Sequence, residues 1–165
     1  MYPVRLGYDT AVKRIRRLMR NDHYAEALVT SVFTVEKTMR RVLRALIVSA
    51  GFPTAQTNVL MTKFDGLGKI KDVWQCFDPV HERLSDFVRP ITLQVIAEAQ
   101  RMRNELVHGS KVFALSRCKH ETARVLKALA ELRATFKSRY GYDGWSKIRS
   151  RKKSALHTDP RVRIT

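Results

Sequence analysis

The chain is short of the residues that build cross-linked or membrane-spanning proteins. Only two of its 165 residues are cysteine, Cys76 and Cys118, and two thiols outside any C-x-x-C arrangement supply neither a disulfide framework nor a structural zinc site. Both are expected as reduced core thiols. Cys118-Lys119-His120 sets two ligand types close together without a matching second pair, so no metal and no cofactor are expected. No apolar run approaches the length of a bilayer crossing, and the first residues carry no basic-then-apolar leader with a small-residue cleavage site. The expectation is a cytoplasmic protein that does not engage membranes. Seven glycines and five prolines are few, and no segment alternates polar and apolar residues long enough to demand a strand, which leaves helices. Acidic residues are the remaining shortage. There are 15 against 32 lysines and arginines, a net charge of +17, and an excess of that size speaks to partners more than to fold. The natural partner is a polyanion.

What is present is enough apolar material for one packed domain: 44% of the chain is hydrophobic, which excludes wholesale disorder. Residues 9–20 read as a basic amphipathic helix capped by Asp9 or Thr10, with Val12, Ile15, Leu18 and Met19 inward and Lys13, Arg14, Arg16, Arg17 and Arg20 outward. Asp22 is placed to cap a long helix running to Ala50, with Leu28, Val32, Val35, Met39, Val42 and Leu46 as its core stripe. Lys37, Arg40, Arg41 and Arg44 gather on its other side, and Glu36 falls at the margin of the apolar stripe, where an ionised carboxylate needs a charged partner. Between residues 54 and 89 shorter helical patterns cover 57–64, 67–77 and 79–88. Gly66 to Lys69 lacks the spacing of a phosphate-binding loop and reads as a turn before a helix, while Trp74 and Phe77 read as core anchors. A last long helix spans 112–140, with Val125, Leu126, Leu129, Leu132 and Phe136 on its apolar side. The simplest architecture is an all-α antiparallel helical bundle over residues 1–141, followed by a basic, flexible tail over 142–165 that Trp145 pins at its start. The tail carries +5 and the bundle +12, so the positive charge belongs to both.

The densest chemistry lies in Arg101 to Lys111, R-M-R-N-E-L-V-H-G-S-K. The helix leading into it starts at Pro90, tolerated in a first turn, and Gly109 is positioned to end it just after His108. Gln100, Asn104 and His108 then form one polar stripe. Arg103 projects from a different arc, shared with Ile96, Ala99 and Val107, and an arginine on an apolar arc calls for an anionic partner. Glu36 is the candidate. Five residues separate Arg103 from His108, so their side chains diverge by roughly 140° around the axis and about 7.5 Å along it. One helix does not make a compact pair of them, whereas a second copy would. Metal-free RNA cleavage needs one group to hold a phosphate and another to move protons near neutral pH, tasks suited to arginine and histidine.

Arg103-Asn104-x-x-x-His108, at the end of a helix in a small helical chain, resembles the R-x4-6-H signature of the HEPN superfamily (higher eukaryotes and prokaryotes nucleotide-binding domains), over about residues 8 to 140. The resemblance implies a metal-independent endoribonuclease, active as a homodimer in which two motifs meet, with a toxin or phage-defence role and a separate antitoxin or regulatory protein. On it Arg103 and His108 are catalytic and Asn104 and Glu36 supporting, while the charge itself, apart from the resemblance, points to Arg14, Arg17, Arg20, Arg40, Arg44, Lys111, Arg151, Lys152 and Lys153 as nucleic-acid-binding residues. In HEPN toxins silenced by a nucleotidyltransferase the motif continues R-x4-H-x-Y, and that tyrosine is modified. Ser110 stands at this position, so control of that kind has no support. Two other functions fit the same composition: a non-catalytic HEPN-like module that binds nucleic acid or regulates transcription, and a structural protein that packages nucleic acid through the first helix and the tail. RNA is preferred to DNA only through the motif, since charge does not tell them apart.

Overall fold

The computed structural model describes residues 7–147 and 150–156, and within these all regular structure is helical. Seven helices follow one another among the described residues: α1 (Tyr8–Arg20), α2 (Tyr24–Ser49), α3 (Thr54–Met61), α4 (Gly66–Phe77), α5 (Leu84–Phe87), α6 (Pro90–Val107) and α7 (Leu115–Tyr140). No helix among the described residues is long and apolar enough to cross a membrane.

α2 is the central element, packing on α1, α3, α4, α6 and α7. Its stripe from Leu28 to Leu46 is buried as the periodicity predicts, joined by Leu43 and Ile47. Ser31, Thr34 and Thr38 are buried on the same helix. Each hydroxyl donates to a carbonyl one turn back, Leu28 O, Thr30 O and Thr34 O respectively, which lets small polar residues sit in the core without an orphaned hydrogen. α6 and α7 are linked by Thr92 to Glu131 and by Glu98 to Arg124. These cross-links advance along one helix while retreating along the other, so the two run in opposite directions.

Several boundaries differ from the sequence reading. α1 starts at Tyr8 behind Gly7 and α2 at Tyr24 behind His23, with Asp22 in the left-handed region at φ 61°. Asp22 does not cap α2; its carboxylate instead accepts the Tyr24 hydroxyl at 2.6 Å. α7 begins at Leu115 rather than at residue 112. The helical pattern over 79–88 is realised only at residues 84–87.

The reason for this last difference is Asp78, which is buried and turns the chain about its own carboxylate. Its Oδ1 accepts the backbone N–H groups of Val80 and Glu82, consuming donors that a helix would have used. Its Oδ2 accepts the Tyr140 hydroxyl at 2.6 Å and the Arg139 guanidinium at 3.2 Å. Tyr140 in turn accepts the indole N–H of the fully buried Trp74, which stacks on Phe136. One carboxylate thus ties the end of α4 to the end of α7.

The segment after α7 lies on α2. Trp145 donates to Thr38 Oγ1, and its ring sits beneath Lys37 and Arg41 and against the edge of Tyr8. Gly144, at φ 90°, comes so near that a Cβ there would stand 3.0 Å from the Thr38 carbonyl oxygen. Beyond it Arg151 donates from its side chain to Val48 O and pairs through its backbone with Thr54. The described part of residues 142–165 is therefore packed by specific contacts, while residues 148–149 and 157–165 of that expected flexible tail lie outside the described residues.

Burial pushes the Asp78 carboxyl up, but hydrogen bonds from Arg139, Tyr140 and the Glu82 and Val80 amides outweigh it and hold the pKa at about 2, below the ordinary 3.8. A folded pKa below the unfolded one stabilises the protein above pH 4 and ceases to as pH falls toward 2, a change of about 2 kcal/mol. Urea unfolding between pH 5 and 2 should show this loss. Asp78→Asn should be less stable at pH 7 by a similar amount and lack that component of the acid dependence.

Candidate functional site

The motif helix ends as its sequence requires, with one refinement. α6 stops at Val107, and His108 is its C-cap, at φ −84° and ψ 0°, rather than a residue of its last turn. Gly109 follows in the left-handed region at φ 65°. The Gly109 amide donates to Leu106 O and the Ser110 amide to Glu105 O, the paired 5→2 and 6→1 bonds of a Schellman termination. Gly109 is glycine because a Cβ is disfavoured at that φ. This cap fixes the chain direction at His108, whose side chain is exposed and has no hydrogen-bond partner among the described residues.

Arg103 lies five residues back, half-buried. Its Nη1 donates to Asn104 Oδ1 at 2.9 Å, and its Nη2 lies 3.9 Å from Glu36 Oε2 of α2. At that separation Glu36 attracts the guanidinium without a close hydrogen bond. With 29% of the Arg103 side chain and 19% of Glu36 exposed, the pair is screened by water and contributes at most about 1 kcal/mol. Its consequence is orientation. A guanidinium has five N–H donors, and among the described residues only one contact to Asn104 is a hydrogen bond. Most of its donors are left for an anion such as a phosphate.

The cations named from the sequence fall into different settings. Arg14, Arg17 and Arg20 on α1, and Lys152 and Lys153 after α7, are exposed and have no ion-pair partner among the described residues. Arg40 is instead taken up by the end of α3, donating to Phe64 O at 2.6 Å and Met61 O at 3.0 Å. Arg151 is spent on Val48 O, and Lys111 pairs with Glu105 at 3.2 Å. Arg44 lines a groove of about 410 Å³ with Phe33, Glu36, Lys37, Arg41 and Asp65. Glu36 belongs both to this groove and to the Arg103 cluster.

Sequence reasoning missed Phe33. It sits just outside the core stripe of α2, four residues before Lys37, and is 57% exposed; its spacing from the stripe was the available signal. The reasoning also missed the Asp78 network, which couples residues 61 and 62 positions apart. Cys118 is a buried core thiol, and burial pushes its pKa up. Cys76 is exposed. Among the described residues no three His, Cys, Asp or Glu side chains converge in a way that would hold a metal ion.

No family model matches the chain, and no curated protein or solved structure matches it.

The weak Glu36–Arg103 attraction predicts separable effects. Glu36→Gln should lower stability by less than about 1 kcal/mol while releasing the Arg103 side chain. Chemical denaturation measures the first, and nuclear magnetic resonance of the arginine side-chain N–H groups the second. A loss of several kcal/mol would mean that Glu36 has a structural role beyond holding Arg103.

Proposed function

We propose that the chain is a metal-independent endoribonuclease, built as an antiparallel helical bundle of HEPN type and working as a homodimer. The observation that carries this reading is the Glu36–Arg103–Asn104 cluster, with donors to spare, its Arg103 five residues before an exposed histidine at a capped helix end. The substrate 2′-hydroxyl oxygen attacks the adjacent phosphorus as His108 accepts its proton, and the P–O5′ bond breaks as the leaving oxygen takes up a proton. The products carry a 2′,3′-cyclic phosphate and a 5′-hydroxyl. Arg103 stabilises the charge that builds on the non-bridging oxygens, and Asn104 fixes the guanidinium. A symmetric second copy supplies its own His108 as the acid, which resolves the divergence of Arg103 and His108 on one helix. Val107, Val112 and Leu115, exposed at and beyond the helix end, are apolar surface that such a copy would cover.

The reading includes RNA as substrate and a cytoplasmic setting. A toxin or phage-defence role, with a separate antitoxin or regulatory protein, comes from the motif resemblance alone. One observation favours the competing reading of a non-catalytic nucleic-acid-binding module: no side chain among the described residues orients the His108 ring, as a general base ordinarily requires.

The test is incubation of purified protein with structured and unstructured RNA in excess chelator. Cleavage leaving 2′,3′-cyclic phosphate ends is expected, with His108→Ala slower by about 10²–10⁴-fold and still able to bind RNA. Light scattering at micromolar concentration should give a dimer. A folded His108→Ala protein that cleaves at the wild-type rate would falsify the assignment of the histidine. A wild type that binds but cuts nothing favours the module.

A further inference from the structure

From the groove on α2, we infer a binding site for a few nucleotides of single-stranded RNA beside the proposed cleavage centre. The inference deepens the reading above and rests on it for the identity of the polyanion. Phe33, Lys37, Arg41 and Arg44 fall at helical spacing on one face of α2. The first and last are eleven residues apart, about 16 Å along the axis. The cavity of about 410 Å³ is walled opposite by Met61 and Asp65, and Arg40 fastens that wall to α2 through the Phe64 and Met61 carbonyls. The groove is thus a built feature between two fixed elements.

Two independent observations identify its occupant. Phe33 exposes more than half of its surface at one end, a flat apolar platform beside cations, and unpaired bases stack on such platforms. At the other end, Arg44 is half-buried and makes no hydrogen bond or ion pair among the described residues, and its Nε is buried without an acceptor. A buried unsatisfied guanidinium N–H calls for a partner, and a phosphate oxygen arriving along the groove would provide one. A second copy of this chain is a poor occupant, because the exposed apolar residues that would receive one, Val107, Val112 and Leu115, lie at and beyond the end of α6 and not in this groove. Duplex RNA is a poor one because its bases are already stacked. Glu36, shared between groove and Arg103, makes the two sites continuous, with bases held along α2 and the scissile phosphate delivered to Arg103.

The measurement is fluorescence anisotropy of the full chain with a labelled eight-nucleotide single strand, 2′-O-methylated throughout so that it does not undergo cleavage, and with a duplex of the same sequence. Phe33→Ala should weaken single-strand binding by about tenfold and leave duplex binding unchanged, while Phe33→Tyr restores it to within about twofold. Arg44→Gln should lower the slope of log affinity against log salt by about one. Circular dichroism would check that both remain folded. Wild-type single-strand affinity in Phe33→Ala overturns the inference, as does equal weakening for the duplex or a change confined to oligomeric state. Because this RNA is not cut, the outcomes separate. Phe33-dependent binding by a protein that cleaves no RNA removes the nuclease reading and keeps the groove. Cleavage by a protein whose single-strand binding ignores Phe33 does the reverse.

Discussion

A helix surrounded by five others has little solvent to spare, and α2 must nevertheless carry Lys37, Arg40, Arg41 and Arg44. The bland expectation for such a run is a solvated face. Packing removes that option: all four are only partly exposed, so each needs a partner from the protein or from a ligand. Arg40 finds the carbonyls at the end of α3, while Lys37 and Arg41 lie over the Trp145 ring. Arg44 finds none among the described residues. The groove is what is left when three of four crowded cations have been satisfied internally.

Two charged clusters solve the problem of buried charge in opposite ways. Asp78 is fully enclosed and accepts from two backbone amides, a tyrosine and an arginine, so its charge is saturated and it has nothing left for a ligand. Arg103 is only half-buried, meets its carboxylate at the long limit of an ion pair and keeps most of its donors. A saturated charge fixes structure. An unsaturated one, held beside its neighbours, keeps donors available to a ligand. This contrast in coordination separates structural polar clusters from candidate sites more cleanly than burial does.

The core stripe of α2, the α6 boundary at Gly109 and the burial of Trp74 were legible because each depends on spacing within one helix. Asp22 does not cap α2 because the local preference of aspartate for N-cap positions gives way to the left-handed geometry of the α1–α2 turn. Residues 79–83 have helical composition, yet the Asp78 carboxylate takes the amides a helix would need, and its partners lie on α7. No window of sequence contains both. The motif residues could be named from their spacing, and the proximity of Glu36 to Arg103 follows from a carboxylate and a guanidinium each at the edge of an apolar arc. Which cations remain available could not be read: Arg40 and Arg44 look alike in sequence, and only the position of the α3 terminus distinguishes them.

That distinction divides the positive charge by setting. Arg14, Arg17, Arg20, Lys152 and Lys153 stand in solvent, where each would add to attraction for any polyanion, screened beyond about 10 Å at ordinary ionic strength. Such charges raise encounter rates and affinity alike for RNA and DNA, and they discriminate nothing. Arg44 and Arg103 are half-buried on two packed helices, so an anion reaching both must bring a matching geometry. An unpaired strand, with rotatable phosphates and bases free to stack on Phe33, can adapt its path between them, whereas a duplex presents phosphates on a rigid rise. Selectivity for single strands would then arise from where two cations are held, not from how many the chain carries.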